Sequence, residues 1–94
     1  MLLNIIKVQG NSMLPELTHG DFVVVSKLYR TLNVGDMVVA EHSTYACIIK
    51  RITQISKVKG LLLSGDNKSS ISSHQIGWVS KDDIWGKVRL KVKS

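Results

Sequence analysis

The chain is poor in cysteine, proline, aromatic side chains and acids. Its one cysteine, Cys47, excludes an intramolecular disulfide. The fold therefore does not depend on an oxidising compartment, and a cytoplasmic location is the simpler expectation. Cys47 sits among apolar residues and is expected to act as a small buried hydrophobe. Aromatic residues make up only 5% of the chain, and Trp78 and Trp85 read as packing groups rather than a ligand cage. No apolar run approaches the about 20 residues that cross a bilayer, so no integral membrane segment is expected. Residues 1–7 lack the layout of a secretory signal. His19, His42 and His74 are widely spaced and form no ligand pattern with Cys47. No metal or cofactor is implied.

What is present is the composition of one folded domain spanning residues 1–94, with 44% hydrophobic and 21% charged residues. The net charge is +6, from 13 basic and 7 acidic residues. Such an excess can serve nucleic acid or an anionic membrane. The longest basic stretch, Lys87, Arg89, Lys91 and Lys93, alternates with Val88, Leu90 and Val92. It reads as the wet face of one strand, and no nucleic-acid-binding signature accompanies it. No nucleic-acid partner is expected.

Apolar residues recur with period two, in short Val- and Ile-rich runs punctuated by Gly-Asp pairs. The pattern predicts strands over 3–9, 21–27, 36–42, 45–55, 60–64 and 85–93, and a shorter extended piece near 76–79. A helical turn is predicted over 13–18, with Pro15 in its first turn. The implied fold is all-β: a compact, strongly bent antiparallel sheet or a small barrel. Gly20-Asp21-Phe22-Val23-Val24-Val25 is echoed by Gly35-Asp36-Met37-Val38-Val39-Ala40, and Gly65-Asp66 follows. Turn chemistry at strand starts explains the first two pairs.

Two places carry chemistry. In Gly10-Asn11-Ser12-Met13-Leu14-Pro15 a strand ends, the chain turns, and a hydroxyl is presented beside the only proline. Gly10 leaves room for a substrate backbone, and the Ser12 N–H is free to help bind an oxyanion. Most serines in turns only shape the turn. In Tyr45-Ala46-Cys47-Ile48-Ile49-Lys50-Arg51-Ile52, strand parity places Lys50 with Ala46, Ile48 and Ile52. A lysine on such a face either snorkels to water or loses its proton more readily. A free lysine is neutral about once in a thousand near pH 7.5, whereas full burial can lower its pKa by about 3–5 and make its amine a competent base. A serine beside that amine needs no histidine.

Gly10-Asn11-Ser12-Met13-Leu14-Pro15-Glu16-Leu17, followed by Gly20-Asp21, resembles the nucleophile box of signal peptidases and LexA-like serine–lysine peptidases. Ile49-Lys50-Arg51 resembles their lysine box. Gly65-Asp66-Asn67, Ser70-Ile71-Ser72-Ser73-His74, Gly77-Trp78-Val79 and Ile84-Trp85-Gly86-Lys87-Val88 resemble the C-terminal box of signal peptidases. The boxes fall in the family order. The resemblance implies that Ser12 attacks a scissile carbonyl, that Lys50 takes its proton and that Ser73 bonds the lysine amine. It implies that Gln9, Met13, Leu17, Ile48 and Ile49 line pockets for small substrate side chains. Ser72-Ser73-His74 departs from the common Asp-Ser-Arg. In size the chain is similar to small processing peptidases of the nickel superoxide dismutase maturation type. Few residues precede Ser12 and none form an Ala-Gly pair, so repressor-style self-cleavage is not expected.

The expected activity is that of a serine endopeptidase, cutting a leader or linker from a protein substrate bound as an extended strand. The alternatives are a signal-peptide processor at a membrane and a non-catalytic peptide-binding or dimerisation module. The sequence does not set the oligomeric state.

Overall fold

Runs of Val, Ile and Leu at alternate positions need two neighbours each, one strand on either side, before their backbone groups are satisfied. The computed structural model describes residues 3–42, 46–67 and 76–93, and shows how this is met. Seven strands form one sheet: β1 (Leu3–Lys7), β2 (Phe22–Ser26), β3 (Met37–His42), β4 (Ala46–Ser56), β5 (Gly60–Ser64), β6 (Trp78–Val79) and β7 (Ile84–Val92). The order across it is β1-β2-β7-β3-β4-β5-β6, and every pairing is antiparallel. The last strand thus enters between β2 and β3. Bulges interrupt β7 against both of these neighbours and β4 against β5, which bends the sheet.

Of the two forms expected, the bent open sheet is the one formed, and the barrel is not. The two edges are β1 and β6, and β6 has only two residues, too short a ladder to close on β1. The segment after Ser12 is a turn rather than a helix, with a single bond of helical spacing, Leu17 N–H to the Met13 carbonyl, at 2.9 Å. The Leu14–Pro15 peptide is cis. A short 3-10 helix at Lys81–Asp83 was not anticipated, although its start carries a recognisable cap: the Ser80 hydroxyl accepts from the Asp82 N–H.

The echoed Gly-Asp pairs are indeed one turn used twice. Asp21 N–H bonds the Thr18 carbonyl and the Asp21 carboxylate accepts from Thr18 N–H; Asp36 and Asn33 repeat both bonds. The glycines before them hold φ values of +96° and +98°, where a side chain is disfavoured.

Strand alternation sorts the core into two clusters. Val38, Ala40, Ile48, Ile52, Leu61 and Leu63 pack on one face, joined by Ile76, Val79 and Ile84. Val8, Met13, Leu17, Val23, Val25, Met37 and Val39 pack on the other. Each fully buried side chain of this kind stabilises by about 1.5–3 kcal/mol. Two expectations fail here. Cys47 is exposed: it shares a face with Val39 and Ile49 but stands near the end of the β3–β4 pair, opposite the exposed Glu41. On β7 the apolar residues Leu90 and Val92 are exposed, while Lys91 and Lys93 fold back onto Glu16 and Asp21. The strand runs past the core there, so alternation no longer separates inside from outside.

Candidate active site

Ser12 stands in the turn that follows β1. The ladder of β1 continues past its last residue, through Val8 N–H to the Asp21 carbonyl (2.7 Å) and Gly20 N–H to the Val8 carbonyl (2.9 Å). Pairing then stops at Gly10, where φ is +80° and the space that a Cβ would occupy is open. The Gly10 N–H donates to His19 Nδ1 at 3.0 Å. Beyond it, Ser12 is half-buried and Gln9 is exposed. Met13 and Leu17, 2% and 0% exposed, fill the core beneath the turn, so they anchor it and present almost no surface to solvent.

Lys50 lies in the middle of β4, opposite Val38 of β3. It is 2% exposed and the largest fully buried side chain of the described residues. Its parity neighbours Ile48 and Ile52 belong to an apolar cluster, as does Val38. No ion pair reaches its amine among the described residues. Burial pushes its pKa below the ordinary lysine value. Ile49, one residue before, is half-buried and packs with the opposite cluster.

Arg51, one residue after Lys50, is treated in the reverse way. Its Nε and Nη2 donate to both carboxylate oxygens of Asp66 at 2.9 Å, and its Nη1 donates to the Gly35 carbonyl at 2.7 Å. Its hydrogen bonds to the Asp66 carboxylate raise its pKa further. Asp66 is followed by Asn67, whose N–H donates to the Ser12 carbonyl (2.9 Å) and whose Nδ2 donates to the Asn11 carbonyl (2.8 Å). The turn carrying the hydroxyl is thereby tied, through Asn67, Asp66 and Arg51, to the strand carrying the lysine.

Among the described residues no hydrogen bond joins Ser12 Oγ to Lys50 Nζ. Ser73 lies outside the described residues, as do Ser72 and His74. The two described histidines contact backbone: His19 accepts from Gly10, and His42 Nε2 lies 2.8 Å from the Ile76 carbonyl. Cys47 has its thiol pKa pushed up by partial burial and by Glu41, which makes it a poor thiolate. No metal-holding group of His, Cys, Asp or Glu occurs among the described residues.

Sequence reasoning singled out Ser12 and Lys50 but gave no part to Arg51, Asp66, Asn67 or His19. The signal was adjacency: Arg51 follows the lysine, and Asp66-Asn67 opens the C-terminal box. The partners themselves lie 15 and 56 residues apart in sequence.

No individual curated protein matches the chain. A family model described as Peptidase S24-like matches residues 3–89, which takes in both Ser12 and Lys50. With a match over nearly its whole length, the chain belongs to the peptidase S24-like family, within the LexA and signal peptidase-like superfamily.

Proposed function

We propose that the protein is a serine endopeptidase that cuts a leader or linker segment from a protein substrate, with Ser12 as nucleophile and Lys50 as general base. The observation that carries this reading is the burial of Lys50 on an apolar face with no ion pair among the described residues. A structural lysine gains nothing from such a place, whereas a base needs it. In the reaction Ser12 Oγ attacks the scissile carbonyl and its proton passes to Lys50 Nζ. The tetrahedral oxyanion is met by the Ser12 N–H. Collapse breaks the C–N bond, the lysine returns the proton to the leaving amine, and an acyl ester remains on Ser12. Water, deprotonated by Lys50, then releases the acid and restores the serine.

Substrate entry as an extended strand is supported by the position of β1 at the sheet edge, leading straight into Gln9, Gly10 and the Ser12 turn. Gln9 and the half-buried Ile49 are the contacts it offers at the surface, with Met13 and Leu17 buried in the cluster that Ile49 packs against and Ile48 in the opposite one. Ser73 is assigned to the lysine amine by resemblance alone.

The test is acylation by N-acetyl-alanine p-nitrophenyl ester, read as a burst of nitrophenolate and as an acyl group mapped to Ser12 by mass spectrometry. Labelling of Ser12 that vanishes in Lys50→Met supports the reading. A wild-type protein that never acylates at Ser12 sinks it.

One observation favours a second setting for the same chemistry, at a membrane surface. Leu3 and Ile5 of β1 and Leu90 and Val92 of β7 share the outer face of the sheet and are 43–73% exposed. No helix among the described residues is long and apolar enough to cross a membrane, so attachment by this chain's helices would be peripheral. Co-sedimentation with anionic vesicles, lost in Ile5→Gln, separates the two settings.

A further inference from the structure

A nucleophile on a turn has a positional problem that one on a strand does not. Its side-chain direction depends on dihedrals that no ladder of backbone bonds holds. In the Ser12 turn the internal bonds begin at Leu14, which donates to the Asn11 carbonyl at 3.2 Å, and continue with Leu17 to Met13. The first of these ends on the Asn11 carbonyl, and neither reaches the Ser12 carbonyl. The Ser12 carbonyl is instead taken by the N–H of Asn67, and the neighbouring Asn11 carbonyl by its side-chain amide. One residue, 56 positions from Asn11, thus bonds two consecutive peptide groups, the ones that set the backbone on either side of the Ser12 Cα.

Asn67 is itself well placed to act as a fixed point. The preceding residue, Asp66, is held by both nitrogens of an arginine fork, a geometry that resists sliding as well as rotation. Arg51 is fixed from its other side by the Gly35 carbonyl, and Gly35 N–H bonds the Ile52 carbonyl at 2.8 Å. The reference frame for Asn67 is therefore the stretch of β4 that carries Lys50.

Resting on the peptidase reading, we infer that Asn67 is the positioning residue for the nucleophile, setting the placement of Ser12 relative to Lys50 through its paired bonds to the Asn11 and Ser12 carbonyls. The residue type follows from the chemistry. The site faces two carbonyl oxygens, so it needs two donors. Aspartate would offer the second carbonyl an acceptor, and alanine would offer nothing. The main-chain donor survives any substitution, so the side chain can be removed without freeing the turn completely.

The role predicts a particular kinetic signature. A displacement of about 1 Å in a reacting group costs about 10²-fold in rate. The paired bonds of Asn67 end on the backbone of the turn rather than on the Ser12 hydroxyl, so a positioning role places the loss in the rate constant of acylation. The half-saturating concentration of N-acetyl-alanine p-nitrophenyl ester and the pH midpoint stay where they are.

The experiment measures acylation of wild type, Asn67→Ala and Asn67→Asp by that ester across pH, beside their melting temperatures. Expected is a fall of about 10²-fold in the acylation rate constant of Asn67→Ala, with half-saturation and pH midpoint unchanged. Asn67→Asp, of the same shape, falls as far or further and remains folded. Wild-type rates in either variant overturn the positioning role, as does a loss expressed only in half-saturation or only as a lowered melting temperature. A wild-type protein that is not acylated at Ser12 overturns the peptidase reading itself, a different result from an active wild type with an equally active Asn67→Ala.

Discussion

The two sides of β4 treat adjacent cations in opposite ways. On one side Lys50 enters an apolar cluster, finds no ion pair among the described residues, and has its pKa lowered. On the other, Arg51 meets Asp66 through two bonds and has its pKa raised. The charge that the protein keeps is used for geometry, since it secures Asp66 and with it the Asn67 contact to the Ser12 turn. The charge that it disfavours is the one that takes up a proton in the proposed mechanism. Each residue type suits its role. A guanidinium forks onto a carboxylate and does not deprotonate in proteins, whereas an amine changes its charge readily when buried.

Losing either member of the proposed Ser12–Lys50 pair undoes this contrast most visibly. Ser12→Ala and Lys50→Met are each expected to lower acylation by about 10⁴–10⁶-fold, and the double variant to be little worse than either. Burst amplitudes with the ester measure this, and additive losses would show that the two residues do not act as a unit. Next in size is the loss of the structural side. Asp66→Asn leaves the Arg51 fork without its anion and should cost about 1–3 kcal/mol in urea unfolding, with a fall in acylation besides. A variant with full activity would detach the arginine from the site.

The pH dependence resolves the contrast more finely. With the Lys50 pKa lowered by burial, acylation should rise with pH to a midpoint below the ordinary lysine value of 10.5. For stability, the unfolded chain binds the lysine proton more tightly than the folded one. Between the lowered folded pKa and the ordinary value, unfolding is therefore favoured increasingly as pH falls, and below the folded pKa the penalty is constant. NMR titration of the Lys50 amine checks the midpoint, and an amine titrating near its ordinary value would remove the base. Lys50→Met, inactive, should in turn melt several degrees higher at neutral pH, because about 1 kcal/mol moves a domain of this size by about 4–8 °C. The smallest effect belongs to the surface: Glu16→Gln breaks an exposed pair with Lys91 and should leave the melting temperature unchanged within error.

Much of this was legible locally. Alternating Val and Ile marked the strands to within a few residues, and the repeated Gly-Asp spacing marked two turns whose hydrogen bonds proved identical. The parity of Ala46, Ile48, Lys50 and Ile52 placed the lysine among apolar side chains, and burial on that face is what the fold shows. The same rule misplaced Leu90 and Val92, because it states which residues share a side and not whether anything covers that side. Cys47 was misjudged because its neighbour Ile48 is buried in the cluster on the opposite face.

Period-two patterning and turn chemistry are short-range properties, carried by residues within a few positions of one another, so an all-β chain with a buried lysine and a serine on a turn could be read directly from the residues. The insertion of β7 between β2 and β3, the open edge at β1 and the third Gly-Asp pair becoming an arginine partner rather than a turn were decided only in three dimensions. Each depends on bonds between segments far apart in the chain, and many pairings satisfy the same alternation. Which of them forms is settled by the whole set of strands burying their apolar faces at once, and that choice is what brings Asn67 to Ser12.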